Sequence, residues 1–172
     1  MKHRFLLQFA VPLILGSIVL AEEPAKNEAS TAFDKLKELN GTWTGAAGKP
    51  DGEAAKVVYK VTAGGSVVME TLFPGTDHEM ISMYHLENGD LIATHYCAMG
   101  NQPRMKLSKA TPSELTFDFV GGAGIDPEKS MHIHGGTISL RPDGKMEALW
   151  RVFRGGKEIA QNKFFLQRED GK

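Results

Sequence analysis

The chain has 172 residues, a formal charge of −1, one cysteine and no block of lysine or arginine. That balance gives no electrostatic footprint for nucleic acid or anionic lipid. A single cysteine cannot form an intramolecular disulfide, so stability must come from burial. In chain order, Lys2, His3 and Arg4 precede the apolar run Phe5–Ala21, which holds no acid and is interrupted by Pro12 and Gly16. With Val19 and Ala21 before Glu22, the run predicts a cleavable signal peptide over 1–21 rather than a spanning helix, and hence an exported, periplasmic or secreted protein with no membrane partner after cleavage. About 150 residues then remain, the length of one domain with one core.

Residues 22–32 are polar and small and predict a flexible lead-in. Phe33, Leu36 and Leu39 follow at helical spacing, with Ser30 or Thr31 as N-cap and Asn40-Gly41 as the stop, which predicts one short helix at 31–39. From Gly41 the apolar period falls to two. Turn signals recur at Gly64-Gly65, Asn88-Gly89, Gly100-Asn101, Pro142-Asp143-Gly144 and Gly155-Gly156. The pattern predicts ten strands near 41–47, 55–62, 66–73, 78–86, 90–98, 103–109, 113–120, 130–140, 145–153 and 158–168. Tight hairpins in up-and-down order favour closure, so the fold class is an all-β, antiparallel up-and-down barrel over 33–168 behind one short N-terminal helix.

Two turns fix registers. A Gly64-Gly65 hairpin sets Val61 opposite Val68, Tyr59 opposite Glu70 and Val57 opposite Leu72, so Glu70 points to the apolar face and needs a partner, for which Arg104, His95 and Tyr59 are the candidates. Asn88-Gly89 gathers Ser82, Tyr84, Leu91, Ala93, His95 and Cys97 on one face, taken as the interior.

The segment FDKLKELNGTWTGAAG (Phe33–Gly48), a short helix followed by Gly-x-Trp at the first strand, resembles the start of calycin barrels: lipocalins, fatty-acid-binding proteins and nitrobindin-like haem barrels. Together with Gly65-Ser66, Met69-Glu70, MYH at Met83–His85 and THYCAMGNQPRM at Thr94–Met105, the chain resembles exported bacterial DUF1579-type proteins of unknown function over residues 33–168. The resemblance implies a calycin-like barrel and attaches no activity to the long polar motif. Nitrobindin-like barrels make haem a candidate cofactor, but their axial histidine lies on one of the last strands, whereas the last histidine here is His134.

Other chemistries have partial signals. His132-x-His134 is a candidate pair of ligands for a divalent metal, with His95 or Glu70 completing the set, although no cupin-type glutamate follows it. His95 and Cys97 stand side by side on one face without an orienting third group, and no Gly-x-Ser-x-Gly, phosphate loop or dinucleotide fingerprint occurs, so the balance is against an enzyme. Small barrels hold one ligand against an apolar wall bearing a few polar groups. Tyr59, Glu70, Tyr84, His95, Cys97, Asn101, Gln102 and Arg104 are the candidates for that set. The guanidinium of Arg104 suits a carboxylate, so the expected partner is a small, partly apolar molecule with or without one. Two further readings stay open: Arg104 neutralises Glu70 while Asn101 and Gln102 tie down their loop, or the barrel is a structural plug without a ligand.

Overall fold

The switch in periodicity at Gly41 divides the structure into one helix and one closed sheet. The computed structural model describes residues 27–169; the expected signal peptide at 1–21 and residues 22–26 of the expected lead-in lie outside them. Helix α1 (Glu28–Glu38) begins earlier than the apolar spacing predicts, because Asn27 rather than Ser30 or Thr31 caps it: Asn27 Oδ1 accepts from the Ser30 backbone N–H at 2.8 Å. Ala32, Phe33 and Leu36 form its buried face.

Ten strands follow: β1 (Gly41–Ala47), β2 (Glu53–Thr62), β3 (Val67–Leu72), β4 (Met80–Glu87), β5 (Asp90–Tyr96), β6 (Gln102–Ala110), β7 (Glu114–Ala123), β8 (His132–Leu140), β9 (Met146–Arg154) and β10 (Lys157–Arg168). Each pairs antiparallel with the next, and β1 closes on β10. This is the architecture that the calycin resemblance implies. Closure leaves no free sheet edge. Both hairpin registers match the sequence reading, with Tyr59 opposite Glu70 and Ser82 opposite His95. Asn88 and Gly89 adopt φ of 51° and 87°, the left-handed pair that a two-residue hairpin turn requires.

Alternation along the strands sends Val57, Val68, Leu72, Met105, Phe117 and Trp150 into one core. Gly136 sits under the Trp150 ring, where any Cβ would overlap the indole. The helix covers the end of the barrel that carries the 88–89 and 111–113 turns. Its residues bond there to Gly89, Ala110 and Thr111. Trp43 lies at this closed end, 2% exposed, and donates from Nε1 to Leu39 O at 2.8 Å. The loops at 73–79, 97–101, 124–131 and 155–156 gather at the opposite, open end.

Candidate functional site

The strongest polar feature of the interior is a row across four strands. Tyr59 on β2, Glu70 on β3, Ser82 on β4 and His95 on β5 are successive cross-strand partners. Period-two alternation turns all four inward, and all are buried. Tyr59 donates to Glu70 Oε1 at 2.7 Å, and Tyr84, two residues beyond Ser82, donates to Oε2 at 2.8 Å. Ser82 Oγ and His95 Nδ1 share a 3.0 Å hydrogen bond. Burial holds the Glu70 carboxyl above the usual carboxylate range, against the lowering effect of Tyr59, Tyr84 and Ser82. It also lifts both phenols well above theirs, with Glu70 adding to the rise. Burial alone pushes His95 down to about 4, so its imidazole is neutral at neutral pH.

His95 closes one side of a cavity of about 360 Å³ at the open end. Leu72, Met80, Ile133, Trp150, Val152 and Phe164 form most of its wall, Met99, Met131 and Ile159 reach it from loops and the start of β10, and Cys97 and Asn162 supply the remaining polar groups. No lysine, arginine or carboxylate lines it. Met99 and Ile159, 40% and 51% exposed, make an apolar rim. A larger depression of about 710 Å³ runs over the outer surface of β1, β9 and β10, but it is a shallow face edged by the charges of Asp51, Arg141, Asp143, Lys145 and Glu147. A mainly apolar wall with one oriented polar ring has the character of a small-molecule site; a depression edged by charges does not.

Of the eight residues expected to bind a ligand, only His95 and Cys97 line this cavity. Tyr59, Glu70 and Tyr84 stand behind them. Arg104 does not reach Glu70. On β6 the inward positions are Pro103 and Met105, both fully buried, so Arg104 turns outward and pairs with Glu87 Oε1 at 2.5 Å. The phenols, rather than a guanidinium, satisfy the buried carboxyl. Asn101 ties the 97–101 turn to the neighbouring loop by donating from Nδ2 to Met131 O at 2.8 Å. Its Oδ1 is buried without a protein partner. Gln102 reaches only Gly100 O, at 3.4 Å. The densest part of THYCAMGNQPRM is therefore loop anchoring and a surface ion pair, and its opening residues supply the cavity.

His132 and His134 bond to each other rather than turning together towards a shared metal or haem iron. Both nitrogens of His132 are taken, Nδ1 by Ser130 O and Nε2 by His134 Nδ1, each at 3.0 Å. His134 is stacked on Phe153 at 4.0 Å and on Phe119 at 5.0 Å between ring centroids. His95 and Glu70 do not join them: among the described residues no three His, Cys, Asp or Glu side chains converge to hold a metal ion.

Sequence reasoning missed Ser82 as the link between Glu70 and His95. Both hairpin registers were readable, but β3 and β4 are joined by the 73–79 loop rather than a tight turn, so nothing in the sequence set Glu70 opposite Ser82. The apolar wall was equally hidden, since it draws on β3, β8, β9 and β10, whose mutual registers depend on barrel closure and on a bulge between Ile133 and Gly135. No protein-family model matches this chain, and no curated protein matches it.

Proposed function

We propose that this barrel is an exported binding protein that takes one small, predominantly apolar molecule through its open end. The cavity of about 360 Å³, with an apolar wall and rim and the neutral His95 ring held by Ser82, carries the reading. The signal-like segment at residues 1–21 supports export. A lining without lysine or arginine favours an uncharged ligand over a carboxylate, because a buried anion without a cation costs several kcal/mol.

Ala160 lines the cavity yet is exposed, so Ala160→Trp can fill the entrance without disturbing the core. The test is titration with 1-aminoanthracene, a small uncharged dye whose emission rises in apolar surroundings. Wild type should bind it in a 1:1 complex, and Ala160→Trp should lose that binding while keeping its melting temperature. Equal binding by both proteins would remove this cavity as the site.

A further inference from the structure

We propose that the cavity selects an apolar molecule bearing an uncharged hydrogen-bond acceptor, such as a ketone or ester carbonyl, because Glu70 acts through Ser82 to fix His95 with its proton on Nε2. The inference rests on the binding reading above and names the chemical class of the ligand.

The argument follows the protons along the four-strand row. Glu70 is 1% exposed, and among the described residues no cation pairs with it. A bare carboxylate in that position would cost several kcal/mol, so the group keeps its proton. Both carboxyl oxygens are engaged by phenols, at 2.7 and 2.8 Å. Each Glu70 oxygen already accepts from a tyrosine, so the carboxyl proton needs an acceptor elsewhere. Ser82, directly opposite in the β3–β4 ladder and interacting with the carboxyl through its side chain, is the acceptor assigned to that proton. The Ser82 proton is then free to go to His95 Nδ1 across the 3.0 Å bond. A neutral imidazole that accepts on Nδ1 carries its hydrogen on Nε2.

That Nε2–H has no protein partner among the described residues. It is also not sealed in, since the one buried side-chain polar atom there without a partner is Asn101 Oδ1. With His95 on the cavity wall, the remaining nitrogen is reachable from the cavity. A donor facing an apolar wall is left unsatisfied by a hydrocarbon and satisfied by a carbonyl, which fixes the sign of the selectivity. Glu70 is thus a positioning residue: it never touches the ligand, and it decides which end of a hydrogen bond the cavity offers.

Two measurements on the folded protein test this. Nitrogen–proton correlation spectra of ¹⁵N-labelled protein at neutral pH should show His95 protonated on Nε2 in wild type and in Glu70→Gln, whose amide still donates to Ser82. In Ser82→Ala that tautomer should no longer be the single species. In displacement of 1-aminoanthracene, 2-nonanone should bind about 10-fold more tightly than nonane to wild type and Glu70→Gln, as expected for one satisfied buried donor. In Ser82→Ala the preference should fall below about 3-fold. Proton on Nδ1, or a ketone that binds no better than the alkane, overturns the inference while leaving the cavity as a binding site. Binding of neither probe nor dye overturns both the ligand class and the binding reading.

Discussion

Tyr59 and Glu70 face each other across the β2–β3 ladder, with the phenol oxygen 2.7 Å from the carboxyl Oε1 at the centre of the barrel. Removing the carboxyl leaves two fully buried phenols without an acceptor, so Glu70→Ala should cost about 3 kcal/mol. Glu70→Gln keeps one acceptor oxygen and turns an amide N–H towards the other phenol, so it should cost less, about 1–2 kcal/mol. Urea unfolding of the two variants beside wild type checks this. Equal losses would mean that shape rather than hydrogen bonding governs the site.

Acid should destabilise the protein through His95. Its folded value of about 4 lies below the ordinary 6.5, so the unfolded chain takes up the proton first. The stability this histidine contributes is therefore present above pH 6.5 and lost as pH falls from 6.5 towards 4, a difference of about 3 kcal/mol. His134, also lowered, adds in the same direction. Glu70, raised, acts oppositely and loses stability as pH rises through its folded value. Unfolding free energies at a series of pH values should fall more steeply for wild type than for His95→Gln over this window. Parallel curves would contradict the assignment.

Arg104→Lys should change little. The Arg104–Glu87 pair is on the outer surface with side chains 38% and 43% exposed, where such pairs contribute about 0–1 kcal/mol. Thermal melting and dye binding should both stay close to wild type. A large loss of binding would return the guanidinium to the ligand site.

Gly136→Ala should cost about 2 kcal/mol, because the added methyl overlaps the Trp150 ring and forces the indole to shift. Melting temperature reports the loss, and a shift in tryptophan emission reports displacement of a cavity-lining ring. A variant with wild-type melting would show that β8 and β9 can separate locally.

The fold was legible in the sequence because closely spaced turns set the alternation and the alternation set the faces. Gly64-Gly65 and Asn88-Gly89 each determine a register, which is why Tyr59 against Glu70 and Ser82 against His95 could be derived before any coordinates. Arg104 was misplaced for an equally physical reason. The five residues between Tyr96 and Gln102 form a turn closed by Cys97 O and Asn101 O, and its length is not set by a two-residue signal. One residue of slip there exchanges the inner and outer sets of β6, and the arginine goes with the outer set.

Arg168 links the two ends of the described chain. It donates to Glu38 O and Asn40 O at 2.7 and 2.6 Å, lies over the Trp43 ring, and its contact with Asn40 spans 128 positions. Synthesis runs from β1 to β10, so the seam cannot form until nearly the whole domain has left the ribosome. Until then β1 pairs only with β2, and the helix end lacks the cation that occupies its last carbonyls. Such a distant closing contact makes seam closure a late and comparatively slow step of folding. Closure of the barrel and capping of the helix end are therefore one event, made by the last strand. Trp43, under the Arg168 guanidinium, lies at the point where that event joins the two ends.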